Sequence, residues 1–274
     1  CGHEGTARAY ASSLRSMQRY LGKKDFPFIK LSSRIISDYQ GKLLASGICD
    51  NTIGFYLHNI KALFRKGCRE MGLELPCPFR DISIKTEKTL KRSLDPVVIK
   101  TLSAIELEKD SPLSLARDIF MFSFYTRGMS FVDIALLKKR HVFPGEICYR
   151  RHKTDQLMRV GINKEISRIL ERYKNVPGEY IFPLFPAERD PYAGYRSAYH
   201  RIRYSLGKIS RVIGLEFPLR LHAARHSWAT IAKVNGASVH VIGECLGHTS
   251  EKTTRIYLKE LDHSALDAVN NQVA

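Results

Sequence analysis

Long hydrophobic runs are missing. No stretch approaches the roughly 18 consecutive apolar residues of a membrane span, and no basic segment followed by an apolar run marks a secretory leader. The expectation is a soluble cytoplasmic protein without a membrane partner. Paired cysteine spacing is missing too: Cys1, Cys49, Cys68, Cys77, Cys148 and Cys245 include no Cys-x-x-Cys. A metal ribbon or disulfide framework therefore lacks its spacing, and reduced thiols are expected. Repeats and regular alternation of strand with helix are absent, which excludes solenoids and argues against a doubly wound sheet. Acidic residues are scarce, with 27 against 44 basic ones.

What remains is ordinary in size and unusual in charge. The 274 residues, 44% hydrophobic and 26% charged, suffice for two cores and exclude a largely disordered or fibrous chain. The formal charge is +17. Residues 1–94 hold 17 basic and 8 acidic side chains and the rest hold 27 and 19, so the excess is not a tail. Basic residues spread over two bodies suit a partner rich in phosphate, double-stranded DNA above all. The chain opens on Cys1 instead of Met, which leads us to expect a fragment or a processed product.

Periodicity supplies the elements. Tyr10, Leu14, Met17 and Leu21 form one helical stripe, and Ile35, Ile36, Tyr39, Leu43 and Leu44 a second that stops at Gly47. A third, capped by Asn51, buries Ile53, Tyr56, Leu57, Ile60, Leu63, Phe64 and Met71 and ends at Gly72. Its other face repeats one sign of charge, Lys61, Arg65, Lys66 and Arg69, without acidic partners, which marks it for phosphate contact. Residues 76–94, with Pro76, Pro78, Lys91 and Arg92, read as a basic linker able to cross the DNA backbone. Asp95-Pro96 and Ser111-Pro112 each read as a cap followed by proline at the first helical position. Ile147 to Tyr149 and Met158 to Val160 flank the polar turn Lys153 to Gln156 and predict a hairpin. Helices follow Asn163, run from Pro191 towards Ile213 and from His222 to Asn235, and begin again after Ser238, Ser250 and Asp262.

Several reactive side chains stand in these helices. His222 and Arg225 are three apart and share a helix face. Gly247-His248 closes a short helix, and Tyr257 lies nine residues on. Arg127 stands at the end of an aromatic helix, followed by Gly128, and Lys153 sits at the tip of the hairpin. His222, His226 and His248 suggest zinc, but the Glu of His-Glu-x-x-His is absent and no carboxylate stands nearby in that helix, so no metal or other cofactor is expected. His226 is instead read as packing inside.

The order Arg127, Lys153, His222-x-x-Arg225, Gly247-His248, Tyr257 resembles the tyrosine recombinases, or phage-type integrases. The stretch Arg225 to Thr230 and the stretch Leu246 to Tyr257 look like that family's two most recognisable signatures. Leu258-Lys259 stands where many members have a residue followed by histidine, a position with no catalytic role. The resemblance implies a mainly α fold. Residues 1–75 are then a helical-bundle, SAM-like core-binding domain. Residues 95–274 are a mostly helical α+β catalytic domain with one small antiparallel sheet. It implies a site-specific recombinase that cuts and rejoins DNA through a 3′-phosphotyrosine. Tyr257 would be the nucleophile, Arg127 and Arg225 the clamp on the nonbridging oxygens, His222 the proton acceptor, His248 a phosphate contact and Lys153 the acid for the leaving oxygen. It further implies a homotetramer on DNA recombination sites, a monomer in free solution, accessory DNA-bending proteins and association with the nucleoid. An upstream arm-binding domain would favour integration.

Two rivals share part of this pattern. A type IB topoisomerase has similar catalytic residues but relaxes supercoils, and the apolar stripe Ala265, Leu266, Ala268, Val269 and Val273 favours recombination by offering a docking segment for a neighbouring protomer. A non-catalytic sequence-specific DNA-binding protein would have the charge but no need of all six reactive positions.

Overall fold

The computed structural model describes residues 4–22, 25–85, 87, 92–185, 191–248 and 250–258, with the backbone alone at 191–193, 252, 256 and 257. The chain forms two compact units, Cys1–Thr89 and Leu90–Ala274. Among the described residues no helix is long and apolar enough to cross a membrane.

The first unit is built on α1 (Glu4–Leu21), α2 (Ser33–Ala45) and α3 (Asp50–Glu70). Ser32 caps α2 through its hydroxyl, and the buried Ile36, Tyr39, Ile53, Leu57, Ile60 and Phe64 form the centre. The inward face of α1 differs from the apolar stripe: Ser13 and Ser16 are buried, while Leu14 is 43% exposed. The two hydroxyls are affordable inside because each is satisfied, Ser16 by the Tyr39 phenol at 2.7 Å and Ser13 by Asn59 at 3.0 Å. Leu44 and Met71, expected inside, lie at the margins of their stripes and are exposed. The cap of α3 is Cys49, and Asn51 instead exchanges two 3.0 Å hydrogen bonds with the Glu87 backbone. The stretch expected to act only as linker contributes buried Phe79 to this core, joined by half-buried Leu75, Ile82 and Ile84.

The second unit is mostly helical, as its sequence predicted. Asp95 and Ser111 cap α4 (Pro96–Ala104) and α5 (Pro112–Tyr125), each with proline in the first turn. After α6 (Phe131–Ala135) comes one antiparallel sheet in the order β1 (Val142–Phe143), β2 (Glu146–Arg150), β3 (Leu157–Gly161). In the hairpin, Ile147 faces Val160 and Tyr149 faces Met158, all four buried. Asn163 caps α7 (Lys164–Arg172), and α8 (Pro191–Val212), α9 (Leu221–Val234), α10 (Val239–Leu246) and α11 (Glu251–Leu258) complete the unit. The stripe from Ala265 to Val273 and the helix expected after Asp262 lie outside the described residues.

Helix α5 is the centre, with Ile119, Phe120, Met121 and Phe122 all buried against α8 and α9. Its one buried charge, Asp118, accepts from Arg117 Nε at 2.6 Å, Arg172 Nη1 at 2.5 Å and the Tyr173 hydroxyl at 2.9 Å. That fully bonded carboxylate fixes α7 onto α5. Cys49, Cys68, Cys77, Cys148 and Cys245 are free thiols.

Candidate active site

The site begins where α5 ends. Thr126 folds its hydroxyl back onto Phe122 O at 2.6 Å, and Arg127 and Gly128 turn left-handed at φ 59° and 76°. A left-handed arginine is strained, and the chain accepts it because the following glycine lets α9 come close. A Cβ at Gly128 would stand 2.5 Å from Arg225 Cγ and 2.9 Å from Arg225 Cα. Through this gap Arg225 Nη1 donates to Gly128 O at 2.9 Å, while Nη2 donates to Leu246 O at the end of α10. The Arg225 guanidinium is thus held from two sides, and the residue as a whole is only 6% exposed.

Helix α10 stops on left-handed Gly247, and its last carbonyls are closed by Gly247 N to Glu244 O and His248 N to Gly243 O, both 2.9 Å. His248 Nδ1 meets the buried Thr254 Oγ1 at 2.9 Å, which sets the ring orientation from α11. Burial, and then the charges of Arg225, Arg151 and Lys153, hold the His248 imidazole down at about 4. This ring is neutral near pH 7. The same dependence brings Arg225, Lys153 and His248 into one electrostatic neighbourhood.

Lys153 is exposed on the turn joining β2 to β3. The turn is closed by Arg151 N to Gln156 O at 2.9 Å and Asp155 N to Arg151 O at 2.8 Å, with Asp155 left-handed at φ 54°. It is tied inward by the His152 N–H, which donates to buried Asp133 Oδ1 at 2.8 Å; Asp133 Oδ2 accepts from Ser130 at 2.6 Å. His222 is exposed on α9, with its ring edge-on to buried His226, centroids 4.7 Å apart. Arg127 points elsewhere: its Nη1 lies 3.5 Å from Arg159 O on β3. Tyr257 falls on α11, which packs against α10, one turn beyond Thr254.

Of the expected phosphate contacts on α3, Arg65 and Arg69 are exposed and Lys61 half-buried. Lys66 has an acidic neighbour after all, Glu70 at 3.7 Å one turn on, so that face is not purely basic. Arg92 belongs to the second unit and stacks over Phe217 at 4.6 Å; Lys91 lies outside the described residues. A cleft between α8 and residues 215–220, lined by His200, Arg203, Arg211 and Arg220, adds basic surface that the sequence pattern did not single out. Asp133, Arg151, Gly128 and Thr254 were likewise missed. Arg151 was hidden among neighbouring basic residues, and the others carry no signal without the fold.

The chain is similar to known proteins. A model of the phage integrase family matches residues 93–263, more than half of the chain, and a phage integrase SAM-like domain model matches residues 2–80. The tyrosine recombinase XerC of Shewanella oneidensis is 26% identical over 226 residues, covering 79% of this chain and 70% of the relative. The tyrosine recombinase XerD of Pseudomonas putida is 24% identical over 262 residues, covering 93% and 86%. Among solved structures, a lambda integrase dimer bound to a core site superposes with a TM-score of 0.69 at 17% identity, covering 95% of this chain and 90% of that one. The XerH recombinase bound to a palindromic substrate gives 0.71 at 17%, covering 97% and 80%. At these identities the structures speak for the fold: a SAM-like unit followed by an integrase-like catalytic unit.

Proposed function

Because the chain belongs to the phage integrase family and is an enzyme of the tyrosine recombinase type, we propose that it cuts and rejoins double-stranded DNA at specific sites through a 3′-phosphotyrosine, serving integration, excision or inversion of a DNA element. The observation that carries this reading is the gathering of a rigidly held Arg225, a neutral His248 and the Lys153 turn around the end of α10, against which the Tyr257 helix packs.

In this scheme the Tyr257 phenolic oxygen attacks the scissile phosphorus while its proton passes to His222. The bond to the 5′ oxygen breaks, and Lys153 protonates that oxygen. Arg225 and Arg127 neutralise the nonbridging oxygens, since a guanidinium is permanently charged and its fork fits phosphate. Arg225 already lies pinned between two carbonyls and so pays little to become ordered. For Arg127 to join it, the side chain leaves Arg159 O. His248, neutral and oriented by Thr254, donates a hydrogen bond to the phosphate. The tyrosyl phosphodiester keeps the energy of the broken bond, so rejoining needs no ATP.

Phosphate contacts outside the site come from Lys61, Arg65, Lys66, Arg69, Lys91 and Arg92, the first unit, with Phe79, Ile82 and Ile84 in its core, forming the core-binding domain and residues 95–274 the catalytic domain. The protein is a monomer in free solution and a tetramer on DNA, with accessory DNA-bending proteins as further partners and the nucleoid as its place of action. The test is direct. Sequencing the junctions of recombined DNA in cells identifies the site, and a duplex of that site nicked beside the cut traps the intermediate. A covalent adduct on denaturing gels that vanishes in Tyr257→Phe is expected; no adduct with the unaltered protein overturns the reading.

A further inference from the structure

Two adjacent carbonyls at the end of α10 are each met by a guanidinium. Leu246 O accepts from Arg225, and Gly247 O accepts from Arg151 Nη1. Arg151 ends the β2 side of the hairpin, two residues before Lys153, and reaches across 96 positions of sequence to this corner. A Cβ on Gly247 would stand 3.2 Å from Arg151 Cδ and 3.3 Å from its Nη1, so the side chain lies flat on the corner. Gly247 is the residue before His248. The second guanidinium beside His248 is therefore Arg151; Arg127 instead meets Arg159 O.

This arrangement is unfavourable for the free protein. Two guanidiniums and the Lys153 ammonium crowd one neutral imidazole, and like charges so placed repel. Their effect is registered at both neighbouring titratable groups: each arginine lowers His248, and each opposes the burial that pushes the Tyr149 phenol up, Arg151 more than Arg225 and Arg225 more than Arg127. Such a cluster gains when an anion enters it. Arg151 has the means to hold one, since a guanidinium carries five N–H donors, Gly247 O occupies one edge, and the side chain is only half-buried.

We infer that Arg151 is a further catalytic residue: one edge of its guanidinium rests on Gly247 O and the other binds a nonbridging oxygen of the scissile phosphate beside Arg225. This rests on the strand-cleavage reading above. It places the acid Lys153 and a phosphate ligand on one hairpin, two residues apart.

A purely mechanical latch between the hairpin and Gly247 predicts something different, and Arg151→Gln separates the two. Glutamine keeps an N–H for Gly247 O and loses the charge. The experiment uses the full chain and two nicked duplexes of the recombination site, one with the natural scissile phosphate and one with a methylphosphonate there. The methyl group replaces a nonbridging oxygen and removes the negative charge. On the natural phosphate, Arg151→Gln is expected to form the Tyr257 adduct about 100-fold more slowly than the unaltered protein. On the methylphosphonate the two are expected to agree within a few-fold. Arg151→Lys, which keeps the charge without the fork, should fall between them on the natural phosphate. Equal loss on both duplexes, or no loss on either, overturns the inference while leaving the strand-cleavage reading intact. A Gln variant that melts well below the unaltered protein also overturns it, because relieving repulsion at this corner should not destabilise the free fold. If the unaltered protein forms no Tyr257-dependent adduct, the functional reading fails and takes this inference with it.

Discussion

Gly128 and Arg225 are packed so closely that no side chain fits between them: an added Cβ would approach three atoms of Arg225 within 2.9 Å, its Cα among them. The backbone of α9 cannot yield as a flexible side chain could. Gly128→Ala, at φ 76°, therefore combines left-handed strain with overpacking and should cost about 2–4 kcal/mol of stability. Thermal unfolding measures that loss, and adduct formation should fall with it as Arg225 loses Gly128 O.

Thr254 is expected to act through His248. Thr254→Val keeps the shape and removes the hydroxyl that meets Nδ1. Losing one hydrogen bond of about 1 kcal/mol should slow cleavage roughly five- to tenfold. Thr254→Ser should recover most of the rate in single-turnover cleavage, and equal rates for Val and Ser would refute the role.

The His248 imidazole also makes a pH prediction. Its folded value, about 4, lies below the ordinary 6.5, so the unfolded chain takes up the proton first. The corresponding stability is complete above about 6.5 and is lost as the pH falls towards 4. Melting temperatures measured at pH 7 and pH 5 should differ, and His248→Gln should narrow the difference. In the free protein the His248 ring proton signal should not move between pH 8 and pH 6.

Asp133 anchors the turn of Lys153 by accepting from His152 N–H. Asp133→Ala leaves that amide without its acceptor, at about 1–3 kcal/mol, and loosens the turn that carries Lys153, the proposed acid. Asp133→Asn preserves an oxygen there. Cleavage should thus rank native, then Asn, then Ala, and a substrate with a 5′-bridging sulfur, whose leaving group needs no proton, should compress the ranking.

On α3, Arg65→Ala and Arg69→Ala should each reduce the salt slope of DNA binding by about 0.9. Lys66→Ala should reduce it less, because Glu70 already competes for that ammonium at 3.7 Å. Binding titrations between low and moderate salt decide this.

Local chemistry is what the sequence made legible. Asp95-Pro96, Ser111-Pro112, Asn163 and Ser238 each announced a helix start with a cap whose side chain bonds an amide two or three residues on, and all four helices begin there. The hairpin was legible for the same reason, as alternating apolar residues around a polar turn. Asn51 was misread because a better use for its amide lay 36 residues away at Glu87. Leu14 and Met71 share the period of their stripes but sit at the edges, where a small bundle runs out of covering surface. Within the site, residue type and order pointed to Arg225 and His248. Arg151, Thr254 and Asp133 act across 96, 6 and 19 positions, through contacts that exist only once α6, the hairpin, α10 and α11 are packed.

Ser227 holds the beginning of the second unit: its hydroxyl accepts the Leu94 N–H at 2.7 Å and donates to Ala223 O at 2.7 Å, wholly buried. Leu94 lies at the mouth of the connection from the first unit, and Ser227 is two residues from Arg225. The segment that enters the second unit is thereby fastened to the same helix that carries Arg225.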